Sequence, residues 1–271
     1  MSQKMIRFGL HDFLNAQPLL VPLLSRQKEL GLEIVRDVPS ALAEKLKAGT
    51  LDLAMIPTIE YLKEAARYRL VPGVCIASRD RVGTVLLVSQ VPVEQIRTLA
   101  LDDRSRTSVA LLKILFAKKF RKDVKFSPSS PDLASMLRVH DAALIIGDQA
   151  FSLPELPAET KVYDLSEEWF RETGKTFVHA VLAVREGVVL PEETFRKIQS
   201  ARQEGRQAIT DIANRYAASN GLDLNTCEDY LRHKIIYDLG EQELVGMRLF
   251  GDKCYDRGMI PQKHEIRFIG N

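Results

Sequence analysis

Residues 51–57 read LDLAMIP, an almost unbroken apolar run that ends on a proline. An extended segment that is apolar on both faces belongs in a sheet covered by helices on both sides, and such sheets are mostly parallel. Working outward, MIRFGL (5–10) and LEIVRDV (32–38) read as further strands, and residues 17–26 and 40–48 carry helical spacing. The second helix is expected to begin on Ser40 as its N-cap and to stop at Gly49. Strand–helix repeats of this length predict right-handed βαβ units.

A second block of the same kind opens at RTLALDD (97–103) and continues through a helix over about 106–119, a strand VKFS (124–127), a helix over 131–138 and a strand AALIIGD (142–148). VGTVLLVSQ (82–90) and FVHAVLAVRE (177–186) frame this block and read as two strands crossing between lobes. From Pro191 onward the chain is helical: one long amphipathic helix over 192–218 weakened by Gly205, shorter helices near 224–234 and 241–250, and a last strand in EIRFI (265–269). The expected architecture is α/β with two lobes, residues 1–88 with 180–271 forming the first and 89–179 the second. Ligands of such folds sit beyond the carboxyl ends of the parallel strands, here in the cleft between lobes.

The 271 residues carry 38 basic and 36 acidic side chains, a net charge of +2. Neither half is strongly basic, which argues against nucleic acid or an anionic membrane as the main partner. The amino terminus has no signal-like apolar stretch, and no window approaches the ~20 apolar residues of a membrane span. Cys75, Cys227 and Cys254 form neither a CxxC pair nor a zinc pattern, so a reducing, cytoplasmic location and no metal are expected. No GxGxxG or Walker pattern is present, so no nucleotide cofactor is expected either.

Polar residues gather where the strands end. LDDRSRTSVALLKIL (101–115) crowds two acids, two arginines and three hydroxyls into seven residues before a helix. Helix starts have free N–H groups and partial positive charge. With the hydroxyls of Thr107 and Ser108 this start makes a seat for a carboxylate or phosphate. Asp102 and Asp103 cannot both face such an anion, and one is expected to cap the helix or pair with Arg104 or Arg106. Asn15, Pro57 with Thr58, Ser78 with Arg79, and Thr84 stand at three other strand ends, with Gly147 nearby. Together they describe a site for a polar, anionic small molecule.

The segments FLNAQPL, GTLDLAMIPTIEYL, CIASRDRVGTVLLVS, LALDDRSRTSVALLKIL and ALIIGDQA resemble the chorismate dehydratase family of the futalosine route to menaquinone. So do DLSEEWFRETGKTFVHAVLAVRE (164–186) and YLRHKIIYDLGEQELVGMRLF (230–250), and the match runs from about residue 6 to 255. The resemblance implies a two-lobed periplasmic-binding-protein-like fold of type II and the loss of water from chorismate, giving 3-[(1-carboxyvinyl)oxy]benzoate. A sister family, the cyclic dehypoxanthine futalosine enzyme, carries a histidine where this chain has Gly147-Asp148, which favours the dehydratase. A non-catalytic cytoplasmic binding protein for a small anion is the other alternative. The resemblance implies ligand contacts at Asn15, Pro57, Thr58, Ser78, Arg79, Thr107 and Ser108.

Arg79 suits a carboxylate as a bidentate partner, and Asn15 suits the departing hydroxyl. Asp148 is the candidate base if burial raises its pKa. The alternative is the substrate's own enolpyruvyl carboxylate. His179, in the return strand, reads either as facing the cleft or as packed. Trp169 and Phe170 read as anchors of a helix or as a lid over a ring.

Overall fold

The computed structural model describes residues 5–270 except 103, 118, 121 and 122, so Asp103 lies outside the described residues. The chain opens with β1 (Ile6–Leu10), α1 (Gln17–Ser25), β2 (Leu32–Arg36), α2 (Pro39–Lys47), β3 (Leu53–Pro57) and α3 (Thr58–Lys63). Every residue of β3 is buried, as its apolar run requires. Helix α2 starts on Pro39 rather than being capped by Ser40, because a proline in the first turn lacks only an N–H that no helix start uses. Gly49 follows that helix with a φ of +77°, which ends it.

There follow β4 (Tyr68–Ser78), β5 (Val85–Ser89), β6 (Thr98–Leu101), α4 (Arg106–Phe116), β7 (Lys125–Pro128), α5 (Leu133–Val139), β8 (Ala142–Ile146), β9 (Lys161–Asp164) and α6 (Leu165–Thr173). The remainder is β10 (Phe177–Arg185), α7 (Glu192–Gln207), α8 (Ile209–Asn220), α9 (Leu224–Asp229) and α10 (Glu241–Asp256). A single π-helical turn, Tyr230–Lys234, extends α9.

Two five-stranded sheets result, ordered β2-β1-β3-β10-β4 and β7-β6-β8-β5-β9. In each, four strands run in one direction and one, β10 or β5, inserts antiparallel between two of them. The two segments expected to cross between lobes each lie wholly within one sheet. Residues 85–89 pair with β8 and β9 in the second sheet, and residues 177–185 pair with β3 and β4 in the first. The actual passages are the turn at 79–84 and the stretch around α6. The expected lobe division after residue 88 therefore falls inside β5.

The helix expected over 192–218 is two helices, and the break is at Ala208, not Gly205. Gly205 instead lies where α7 meets α1, with the Pro18 backbone carbonyl against its Cα. The strand expected at 265–269 is reduced to a bridge between Leu70 and Phe268. A continuous apolar core runs through both lobes, and the face of the second sheet bearing Leu86, Val88, Ala143 and Ile145 forms a smaller cluster under α5. Among the described residues no helix is long and apolar enough to cross a membrane.

Gly205→Ala should destabilise the fold by about 1–3 kcal/mol, because a methyl group has no room beside the Pro18 carbonyl. The check is a lower urea midpoint with an unchanged denaturation slope.

Candidate functional site

The carboxyl ends of the parallel strands of both sheets face one narrow cleft between the lobes, of about 50 Å³, well below the roughly 300–1,000 Å³ of open small-molecule sites. Its wall on the first sheet is His11, Phe13, Asn15, Pro57, Ile76, His179 and Ala180. The opposing wall includes Thr84, Val85, Ser105, Ser108, Ile146 and Gly147, and Tyr230 and Ile235 close it from the C-terminal region.

Helix α4 points its start at this space. Ser105 occupies the N-cap position, yet its hydroxyl meets the Ser108 hydroxyl at 3.0 Å and caps no backbone group. Among the described residues no side chain caps the first-turn N–H groups, which can therefore meet an anion with two hydroxyls beside them. Asp102, fully buried, does not compete: it takes Arg104 bidentately at 2.8 and 2.6 Å. Arg104 itself lies over the Phe13 ring, 5.5 Å from its centroid.

Asn15 sits in a short 3-10 turn after β1, and its Nδ2 donates to the Tyr230 hydroxyl at 3.2 Å. The Tyr230 hydroxyl also meets Thr84 Oγ1 at 2.9 Å, so one chain of polar groups ties the two lobes and the π-helical turn. Asn15 Oδ1 is buried without a partner, and so is His11 Nδ1. These are the polar atoms a ligand would satisfy. Gly147 has a φ of +67° and donates its N–H to the Thr84 carbonyl at 2.9 Å.

Of the residues singled out from sequence, Asn15, Pro57, Thr84, Ser108 and Gly147 line the cleft. Five others do not. Thr58 donates its hydroxyl to the Val178 carbonyl at 2.7 Å. Thr107 accepts the Ile59 N–H at 3.2 Å, bridging the lobes. Ser78 stands behind His179, 2.8 Å from its Nε2. Arg79 is exposed and stacks over the Phe170 ring at 5.2 Å.

Asp148 accepts the Leu14 N–H at 3.2 Å and the Tyr216 hydroxyl at 2.6 Å, and it is not among the cleft-lining residues. Burial raises its pKa, against which Tyr216, the Leu14 N–H and the Arg104 charge pull it down. The raised pKa expected of a base is present, but the carboxylate is engaged in joining the lobes. Trp169 is fully buried against Phe177 and Phe250 rather than lying over the cleft.

Sequence reasoning missed Tyr230 and gave no role to His11. Tyr230 comes from far along the chain, and only the fold brings it to Asn15. His11 stood in plain view four residues before Asn15. Among the described residues no group of three or more His, Cys, Asp or Glu is placed to hold a metal.

Two α/β lobes closed on a polar cleft define a binding-protein fold adapted to a small molecule. The chain belongs to the menaquinone biosynthesis family, which it matches over residues 6–256. It is 30% identical over 237 residues to a chorismate dehydratase from Thermus thermophilus, covering 82% of this chain and 86% of that one. Protein AF1704 from Archaeoglobus fulgidus has the same fold, with a TM-score of 0.75 at 15% identity over 96% of this chain and 100% of that one. The periplasmic aliphatic sulphonate-binding protein of Escherichia coli matches with a TM-score of 0.64 at 17% identity, over 98% and 96% of the two chains. The fold is thus the periplasmic-binding-protein-like one expected.

Burial pushes both cleft histidines, His11 and His179, down to about 4 from 6.5. Each stays neutral in the folded protein, whereas the unfolded chain binds a proton below its ordinary value. The stability present above pH 6.5 is therefore lost as pH falls towards 4. The urea midpoint should fall across that window, and His11→Phe, which keeps a ring beside Phe13, should flatten the fall.

Proposed function

We propose that this chain removes water from chorismate to give 3-[(1-carboxyvinyl)oxy]benzoate. The observation that carries the reading is the make-up of the cleft: a helix start flanked by Ser105 and Ser108, with no acidic side chain among the described residues that line it. That suits a substrate with two carboxylates. The relationship to a chorismate dehydratase supports it.

Chorismate has a hydroxyl on one ring carbon and an enolpyruvyl ether on the next, and its ring becomes aromatic once water leaves. Aromatisation supplies much of the driving force, so the protein's task is to hold the ring still, accept a proton and help hydroxide depart. Asn15 keeps Oδ1 and one Nδ2 hydrogen for the departing hydroxyl, since its other Nδ2 hydrogen goes to Tyr230. The proton goes to the substrate's own enolpyruvyl carboxylate. Asp148 is left as the joint between the lobes, because its oxygens face Leu14 and Tyr216.

In this reading the lobes hinge at the turn 79–84 and at the stretch through α6, and they part to admit chorismate. The cytoplasm is the compartment, in keeping with three free, buried cysteines.

The test is incubation of the purified protein with chorismate, followed by mass and ultraviolet absorbance. Loss of one water with the appearance of an aromatic ether supports the proposal. Unchanged chorismate with thermal stabilisation of the protein would make it a binding protein, and no stabilisation would return the choice to the nucleoside-cleaving sister enzyme. Asp148→Asn should keep kcat within about tenfold of the parent. Loss of a general base costs ~10²–10⁴-fold, so a fall of that size would restore Asp148 to the chemistry.

A further inference from the structure

We propose that His179 binds one carboxylate of the substrate and takes up a proton from solvent as it does so, becoming the one full positive charge in the cleft. This rests on the reading of chorismate as substrate. His179 projects from β10 into the cleft wall. Its Nε2 lies 2.8 Å from Ser78 Oγ and 3.4 Å from Ser166 Oγ. The Ser78 hydroxyl donates to Ser166 Oγ at 3.0 Å, so what it offers the ring is a lone pair, and Nε2 carries the hydrogen. The neutral ring then has its free lone pair on Nδ1, which no hydrogen bond from the described residues engages. Phe177 packs edge-on at 5.0 Å and holds the ring plane.

The charge of the ligand supplies the reason for protonation. Among the described residues, no Lys, Arg, Asp or Glu lines the cleft. Arg104 is held behind Phe13 by Asp102, and Arg79 is exposed over Phe170. Two carboxylates moved from water into this space need compensating charge. The start of α4 offers about half a unit, and a protonated His179 offers a whole one.

His11 lines the same cleft, neutral and with its Nδ1 unpartnered, and the His179 variant separates the two; the charged groups packed around His179 are turned elsewhere. On β4 and α6 its neighbours are Ser78 and Ser166. Behind Ser166, Asp164 is turned onto the N–H groups of Val82, Gly83, Ser166 and Glu167. At the start of α3 the Thr58 hydroxyl is on the Val178 carbonyl, and Glu60 of α3 pairs with Lys63 and Arg106. On α4 Thr107 is held by the Ile59 N–H, and on α10 Glu243 closes on the Gly240 N–H. Burial alone acts on the ring, holding it at about 4 and therefore neutral until a carboxylate arrives. The balance is one solvent proton added to Nδ1. The imidazolium then donates Nε2–H to Ser78 and Nδ1–H to the substrate, and no substrate bond changes.

The experiment is calorimetric titration of the protein with the product, 3-[(1-carboxyvinyl)oxy]benzoate, which keeps both carboxylates and is not consumed. Measuring at pH 7.5 in two buffers of different ionisation enthalpy gives the protons exchanged. The expected result is uptake of about one proton per product bound, with Kd weakening up to about tenfold per pH unit as pH rises. In His179→Gln the uptake should vanish, the pH dependence should flatten, and KM for chorismate should rise more than kcat falls. Binding without proton uptake by the unaltered protein overturns the proposal, whether or not the variant folds. So does uptake that persists in His179→Gln, or a variant that loses kcat at constant KM, which would make His179 the base. Absence of any binding would overturn the chorismate reading and this proposal with it, whereas binding without uptake leaves that reading intact.

Discussion

The buried hydrogen bond from the Ile59 N–H to the Thr107 hydroxyl joins the first turns of two helices from opposite lobes. Each helix start carries partial positive charge, and two such ends brought together repel unless an acceptor lies between them. Thr107 supplies that acceptor from within the chain, and it sets how closely α3 and α4 approach. Pro57 stands just before one helix and Ser105 and Ser108 at the start of the other, so the same contact fixes the width of the cleft they line. Arg106 reinforces it by reaching across to Glu44 and Glu60. Asp148 does so at the far side through Leu14 and Tyr216.

Once the lobes are locked this way, the polar groups that remain unsatisfied are informative. A buried polar atom without a partner costs about 1–3 kcal/mol. Of the buried side-chain atoms left without a partner, His11 Nδ1 and Asn15 Oδ1 belong to residues that line the cleft. Nearby, Thr84 and Tyr230 bond each other, Tyr230 also accepts from Asn15, and Ser78 bonds Ser166 and His179. The cleft thus combines fixed supports with a few open positions, an arrangement that orients a small polar ligand once the lobes have closed on it.

How much of this was legible in the sequence depended on range. The buried run at 51–57 and the polar crowd before α4 are local signals, and they located the first sheet and the helix start correctly. Strand β4 was not legible, because Pro72 and Gly73 interrupt it, and it is held by pairing with β10 on one side and by bridges to Ile236 and Phe268 on the other. The apparent crossing strands failed for a related reason. A long alternating segment shows that it is a strand but not which sheet completes its hydrogen bonds. At the site, residue type and position at a strand end found Asn15, Thr84 and Ser108. They did not reveal that Thr58, Thr107 and Asp148 turn their side chains to the opposite lobe or to the backbone. Side-chain direction at a strand–helix junction changes with each residue, so neighbours such as Thr107 and Ser108 diverge, one bonded to the other lobe and one lining the cleft.

A lining made mainly of neutral donors bears on the proposed chemistry as well as on binding. A fixed arginine or lysine on each carboxylate would hold both as strong ion pairs and lower their basicity. Hydroxyls and a helix start hold an anion with less charge, so an enolpyruvyl carboxylate seated there stays basic enough to accept the ring proton. The other carboxylate is conjugated with the ring carbon that becomes negative as the proton leaves, and there a full positive charge helps, because it stabilises charge that grows in the transition state. On the proposed reading, a cleft in which His179 takes the proton and the other donors stay neutral would divide two chemically similar carboxylates into a base and an electron sink. On that reading the division would come from placement, with the substrate's own carboxylate as the base.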